Sequence, residues 1–413
     1  MTEEDSETPA DPPVLKGAHA VALWKKGRGA WNDYIDAHPG TEIDFSDVDF
    51  SQHRKEGEPL SFKDFRFGVG DVFFQGAIFD DGDVTFELAV FEGSVSFNGA
   101  AFGTGEVSFS DTTFGDGGAF FSFVNFGDGN LLFFRAVFGD GLVSFYGATF
   151  GDGDVFFSRA KFGDSHVLFT HVQFGSQRLL FHDVSMSRVD FSPIRLQAHS
   201  LDCSSMTVSR TAHFDLSLAS IQLEEISFRD AVFDGPFTLS GTLAAAPDLR
   251  GTKTVHHVEL SGLRATLRRT WPRLAWPIIL SRIVPDRKAA VADAARFRRL
   301  KEIAEANRDH AAALRFAADE NRARRWHETG WFASVLDMLF SGFSDYGQSI
   351  WRPVAGLAAL TALATVLFKT IAKTGDWGDA VSLAAGNAFA FLPQSRSVRD
   401  GAVDGLFPSD PGM

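Results

Sequence analysis

The sequence predicts a mainly β chain: a parallel β-solenoid with a capping helix at its N-terminal end, followed by an α-helical stalk and a membrane helix. Three observations predict it. Of 413 residues 43 are Phe, against 3 Tyr and 8 Trp. From Val72 the chain cycles through V-x-F-x-x-A-x-F-G-D-G-x with a period of twelve, apart from one eleven-residue step between Phe86 and Phe97. Near the C-terminal end, the sixteen residues from Pro353 to Phe368 carry no charge between Arg352 and Lys369.

The repeat decides the largest element. Its phenylalanines come in pairs five apart: Phe74/Phe79, Phe86/Phe91, Phe97/Phe102, Phe109/Phe114, Phe121/Phe126, Phe133/Phe138, Phe145/Phe150, Phe157/Phe162 and Phe169/Phe174, with a last copy ending in Phe181/Met186. The spacing alternates five and seven, whereas a helix needs three and four and a long strand needs two. A chain that turns a corner every few residues fits, with one small and one large inward residue on each side. Val72, Ala77, Val84, Ala89, Val95 and Ala100 fill the small positions, two before each Phe. Parallel stacking of such coils, about 4.8 Å apart, sets each Phe over the Phe of the next coil, and the expected result is one continuous aromatic column. The Gly-Asp-Gly runs are expected to supply positive φ and short side-chain hydrogen bonds at the corners. A lone coil exposes apolar faces, so stacking and terminal caps are required. The local unit already occurs at Ile43-Asp-Phe45, Val48-Asp-Phe50 and Phe65-Arg-Phe67, and it fades through Ala212-His-Phe214 and Ala231-Val-Phe233 near Leu239.

The A-x-F unit at five-residue spacing resembles the bacterial pentapeptide-repeat proteins, in particular their membrane-attached branch. The resemblance implies a right-handed quadrilateral β-helix with an inward Leu or Phe at the centre of each side. Two extra residues at alternate corners make 24 residues per coil here, which predicts a rectangular coil with two longer, acidic corners. The segment around Trp24, Trp31, Asn32 and Tyr34, leading into Ile43-Asp-Phe45, is similar to the Trp-rich helix that caps many such proteins. The run from Phe297 through Arg325 resembles the helical region before the membrane anchor of that branch. Ser344-Asp-Tyr346-Gly347-Gln-Ser349 with Arg352-Pro353 resembles the Y-G-x-S…R-P start of the anchor helix.

The tail reads the same way from its residues. Asp286 to His327 lacks Pro and Gly and is rich in Ala, Arg and Glu, as a helix requires. Residues 264–328 hold sixteen Lys/Arg and eight Asp/Glu, a net +8, whereas residues 71–190 hold five and sixteen, a net −11. With Ile350, Trp351 and a snorkelling Lys369, the uncharged run reaches roughly 20 residues, enough for a bilayer crossing. The preceding positive charge predicts a cytoplasmic location for the solenoid at the inner membrane. Trp326, Trp331 and Trp351 suit the membrane–water interface. Trp271-Pro272 and Trp276-Pro277 suit a non-spanning contact with lipid or with the solenoid end. Ala380 to Leu392 is too short to span and reads as a re-entrant or interfacial helix; the relatives commonly add a second crossing, where this chain has a polar tail to Met413. The predicted organisation is a disordered N-terminus over 1–13, a capping helix over 14–40, the solenoid over 41–265, the stalk over 266–350, the membrane helix over 351–372, and a short apolar segment with a polar tail over 373–413. Met1 to Pro13 is acidic and polar, unlike a signal peptide.

No constellation points to catalysis, a cofactor or a metal. Asp116, Asp128, Asp140 and Asp152 sit in Gly-rich corners twelve apart, but a calcium β-roll repeats every nine residues with a different Gly–Asp order. Corner hydrogen bonding is the expected role of these acidic residues. His166 and His171, five apart, should fall on adjacent sides and so cannot ligate together. Cys203 is the sole cysteine, has no evident basic neighbour and reads as a buried or bystander thiol. The chain lacks the G-x-S-x-G, phosphate-loop and H-E-x-x-H signatures. The formal charge of −14 argues against direct nucleic-acid binding. The expected function is non-enzymatic: a membrane-anchored scaffold that presents an acidic cytoplasmic surface to a protein partner. Two alternatives remain. One is a DNA-mimicking inhibitor or protector of an enzyme such as gyrase, suggested by the acidity. The other is a channel-like membrane module, suggested by a spanning helix followed by Thr374 to Ser382 and a short helix, though the carbonyl filter run is missing.

Overall fold

The computed structural model of the chain describes residues 14–55, 57–175, 178–218, 220–221, 223–265, 287–325, 327–372, 376–388 and 395–407. The expected disordered N-terminus, Trp271, Trp276, Trp326 and the end of the second apolar stretch (389–392) lie outside the described residues. The chain divides into two compact units, Met1–Ala323 and Arg324–Met413.

The first unit is a parallel β-solenoid of ~10 turns. Its strands are short because a corner follows every few residues, and each pairs with the strand one coil away. Through the regular part the register step is 24 residues: Val107 pairs with Leu131, Leu131 with Val155, and Val155 with Leu179. Where the sequence makes its eleven-residue step, the register step falls to 23, as in Val72 with Val95. The inward pattern of one small and one large residue per side holds. Val107, Phe109, Ala119, Phe121, Leu131 and Phe133 are all essentially inaccessible.

The phenylalanines do not form the single column expected from the repeat. A coil has four sides, and residues on different sides cannot stack, so four Phe per coil build four separate columns. In one, Phe109, Phe133 and Phe157 lie ring over ring at 4.8 Å and within 5° of parallel. This column extends to Phe86 below and Phe181 above, each at 4.9 Å from its neighbour. In a second, Phe97, Phe121 and Phe145 stack at 5.3 and 4.9 Å. Phe74 and Phe169 continue it at 4.7 and 4.8 Å. The second member of each sequence pair belongs to neither column. Phe79, Phe102, Phe126, Phe150 and Phe174 make a third, with successive centroids 4.5, 5.7, 5.0 and 4.6 Å apart. Phe91, Phe114, Phe138 and Phe162 make a fourth, at 5.5, 4.5 and 4.4 Å. All nine of these are inward, none more than 3% exposed. Rings of the first two columns meet edge to face across the interior, Phe121 with Phe133 at 5.5 Å and 83°. Offset stacks along the rod and T-shaped contacts across it are the two arrangements that the ring quadrupole favours.

The corners differ from expectation. Left-handed backbone falls two residues after the first Phe of each pair, in the five-residue step, at Gly76, Leu88, Gly99, Asp111, Phe123, Arg135, Gly147 and Arg159. In the Gly-Asp-Gly corners most glycines have ordinary φ and are needed for another reason. A Cβ on Gly151 or Gly153 would collide with the carbonyl oxygen of Gly127 or Gly129 in the coil below. Close approach of successive coils, rather than turn conformation, selects glycine there.

Past Phe181 the repeat loosens and strands lengthen, as in Thr207–Leu216 and Phe237–Leu243. The coils continue beyond the last Phe because Leu249, Val258, Leu260 and Leu263 take over the interior. The final strand is Leu263–Ala265.

Both ends of the rod are covered, as unpaired strand edges require. In place of one capping helix over 14–40, the chain forms a strand, Val14–Lys16, that pairs with Glu42–Asp44, then helix α1 (Ala18–Trp24) and helix α2 (Arg28–Ala37). Glycines 17 and 27 precede the two helices. Trp31 is fully buried against Phe45, Phe65 and Phe67. Its Nε1 donates to the carbonyl of Arg66 at 2.9 Å, and Trp24 Nε1 donates to that of Ser61 at 3.0 Å. Asn32 donates to the Asp64 carbonyl and accepts from the Arg66 N–H. Indole and amide groups thus meet main-chain groups that the first coil leaves without a strand partner.

At the other end, helix α3 (Arg287–Ala306) and helix α4 (His310–Arg324) are separated by a left-handed Arg308, and Asp309 Oδ1 accepts from Ala312 N. The expected stalk is a cap in this part: Phe297, Leu300, Ile303 and Phe316 join the same hydrophobic core as the phenylalanine columns. Arg299 donates to the carbonyls of Leu249 and Thr252, Arg296 to that of Ala246, and Arg315 to that of Ser261. Asn307 Oδ1 accepts from Val258 N. Part of the positive charge that reads as a juxtamembrane signal is therefore engaged in closing the rod.

The second unit is helical: α5 (Trp331–Ser344), α6 (Trp351–Ile371), α7 (Trp377–Ala388) and α8 (Ser395–Leu406). Helix α6 is long and apolar enough to cross a membrane, about 31 Å at 1.5 Å per residue. Almost none of its apolar stretch is buried within the protein. The C-terminal end of α6 packs with α7 and α8 through Phe368, Ala372, Ala380, Leu383, Ala402 and Leu406.

Candidate interaction surface

Stacked coils turn sequence periodicity into columns on the outside as well as the inside. Residues 24 apart lie above one another, so Asp116 and Asp140 share one corner column while Asp128 and Asp152 fall on a different one. The four acidic residues are not gathered at a point. Asp116 Oδ1 accepts the main-chain N–H of Asp140 at 2.9 Å, and Asp140 Oδ1 accepts that of Asp164 at 2.7 Å. Asp83 does the same for Glu106, and Asp154 for Arg178. At these corners Asp116, Asp140, Asp83 and Asp154 form rising ladders in which the carboxylate bonds the backbone of the next coil, adding to the strand pairing. Among the described residues no three or more His, Cys, Asp or Glu side chains are grouped to hold a metal ion.

Two of the histidines have local partners. His166 Nε2 lies 2.8 Å from Asp190 Oδ2, and His182 Nδ1 lies 2.9 Å from Ser204 Oγ. His171 instead lies against Tyr146 at 5.2 Å between ring centres. Burial, with a smaller contribution from Asp202, pushes the Cys203 thiol well above its usual range, so it is a poor nucleophile. Burial also pushes up the Asp154 carboxyl, but the Arg178 guanidinium and N–H outweigh it and hold it below the ordinary carboxylate range. A cleft of about 420 Å³ beside the first coil is lined by Trp24, His53 and several cations. Its Arg28, Lys55 and Lys63 are paired with Asp64, Glu58 and Glu87.

One outward feature was not anticipated from the sequence. Phe123 occupies a left-handed corner with 65% of its surface exposed. Its ring covers Gly147, where a Cβ would come within 2.7 Å, and meets Tyr146 edge-on at 5.4 Å. Phe123, Tyr146 and His171 thus form an aromatic step up three coils. The legible signal is Phe121-Ser-Phe123 itself: a second Phe two residues after the first Phe of a pair falls on the corner and cannot enter the same column.

In the second unit, Asp337 Oδ2 accepts from Arg325 at 2.8 Å and from the Tyr346 hydroxyl at 2.7 Å, and Arg325 also donates to that hydroxyl at 3.0 Å. Burial, then Asp337, pushes the Tyr346 phenol up to about 12. This clasp, together with left-handed Asp345, Tyr346 and Gly347, shapes the turn into α6.

These features define a class: a capped parallel β-solenoid repeat protein with an appended helical unit containing one apolar helix. Its regular Phe spacing agrees with a pentapeptide-like repeat. No protein-family model, curated protein or solved structure matches the chain.

Proposed function

We propose that this chain is a non-enzymatic scaffold tethered to the inner membrane by α6, holding a stiff, acidic rod on the cytoplasmic side for a protein partner. The observation that carries this reading is the union, in one chain, of a doubly capped rod and a 21-residue apolar helix whose surface the protein leaves almost wholly uncovered. An exposed helix of that length has no stable place in water. The rod supports a binding role because none of the acidic residues over 71–190, a stretch of net −11, is buried, and the step formed by Phe123 and Tyr146 offers an aromatic anchor among them. A stacked core makes that surface stiff, so little conformational entropy is lost on docking.

The test is fractionation of cells that express the full chain or a chain lacking residues 350–413, followed by pull-down. The full chain should sediment with membranes and retain a partner, and the shortened chain should move to the soluble fraction. A full chain that remains soluble sinks the tether. The DNA-mimic alternative draws on the same acidity; a soluble chain that inhibits supercoiling would replace the scaffold reading.

A further inference from the structure

Helix α5 is amphipathic in a way that its own unit does not use. Trp331, Phe332, Leu336, Leu339, Phe340 and Phe343 are all about half exposed or more. At 100° per residue they occupy one arc of about 180°. Ser334, Asp337, Ser341 and Ser344 occupy the opposite arc, where Ser334 is buried. Asp337 is the sole charged residue of α5, and it is neutralised in the clasp with Arg325 and Tyr346. The end of α5 is pinned to the start of α6. Arg352 pairs with Asp345 at 3.1 Å and donates to the Ser341 carbonyl, while the Phe343 ring lies against Gly356, 3.1 Å from where a Cβ would be.

The geometry points to α5 as an in-plane anchor, lying at the bilayer surface with its aromatic and aliphatic arc turned into the lipid beside the spanning helix. This rests on the reading of α6 as membrane-spanning. Continuity favours lipid as the occupant: the apolar arc of α5 runs through Phe343 onto α6, whose start, with Ile350 and Trp351 each 79% exposed, would stand at headgroup depth. Aromatic residues dominate the arc, as the interfacial zone favours. The polar arc offers no Lys or Arg, so insertion draws on apolar area and not on anionic headgroups. A second anchor would fix the direction in which the chain leaves the bilayer, which one spanning helix alone does not.

The test uses the full chain in phosphatidylcholine vesicles, carrying a nitroxide at Leu339→Cys, Ser341→Cys or Leu360→Cys. Cys203 is buried and will not take the label. Relaxation by oxygen against a soluble nickel chelate should place Leu339 at shallow depth, Leu360 deep and Ser341 in water, with the same depths when phosphatidylserine is added. Leu336→Glu should move the Leu339 label toward water and leave Leu360 unchanged. A water-exposed Leu339 beside a deep Leu360 overturns the in-plane anchor alone, whereas a water-exposed Leu360 removes the membrane reading itself. A Leu339 label shielded from both relaxants, with dipolar broadening between copies, would show that a second chain covers the arc and would also overturn the proposal.

Discussion

Phe121 and Phe123 show what the fold asks of single residues. They are identical side chains two positions apart, yet Phe121 is inaccessible in the core and Phe123 is mostly exposed at a left-handed corner. Position relative to the corner decides, not hydrophobicity. The left-handed site two residues after the first Phe is filled along the rod by Gly, Leu, Asp, Phe, Arg and His. No residue signature marks it, which is why the sequence pointed to the more conspicuous Gly-Asp-Gly runs. For a non-glycine residue this backbone region costs roughly 1–2 kcal/mol, and Asn tolerates it best. Leu88, about half exposed at φ 58°, should therefore accept Asn with a gain of up to about 1 kcal/mol. Denaturant unfolding checks it, and a loss of similar size would mean that Leu88 makes a contact stronger than the strain.

At the scale of elements, the coils were legible and the caps only partly so. The five-and-seven rhythm fixes which residues face inward, because no other backbone gives those spacings an inward face. It does not say how many columns they make: Phe121 and Phe126 look equivalent in the repeat, and only the four-sided coil sends them to different stacks. The N-terminal cap was visible in its tryptophans. The C-terminal cap was not, because arginines that bond end-coil carbonyls look in sequence like charge flanking a membrane helix. The apolar arc of α5 emerges only when Trp331 is set beside its helical neighbours, since a single interfacial tryptophan carries no face. Two predictions belong here. Trp31→Ala removes a fully buried indole and its carbonyl bond, and should cost about 3–5 kcal/mol in chemical denaturation. The second concerns Asp248, at 4% exposure near the last coils, bonded to Arg250 with Arg296 at 3.9 Å. Burial pushes its carboxyl up, but Arg250 and Arg296 outweigh burial and hold it below the ordinary value. A lowered folded pKa gives stability that is present above about pH 4 and lost as pH falls through the folded value. Arg250→Met should therefore cost about 1–2 kcal/mol at pH 7, with the two chains converging as pH falls through the folded value. A gap that persists unchanged into acid would show that the carboxylate is not the source.

For the whole molecule, the rod is held by one continuous interior that runs between two caps. Each coil exposes apolar faces that only its neighbours cover, so damage at one coil should spread along the stack until a cap or an intact block halts it. Function on this reading needs both the closed interior and the acidic outer surface that the interior holds in place. The most direct measurement is the thermal unfolding of two single variants, Phe121→Asp and Phe123→Asp, followed by circular dichroism. A shared dry interior predicts that an unpaired carboxylate at position 121 abolishes cooperative unfolding of the β signal, whereas the same change at 123 leaves the midpoint within a few degrees of the parent chain or raises it. Equal tolerance at both positions, or greater damage at 123, would contradict a solenoid closed around its phenylalanines.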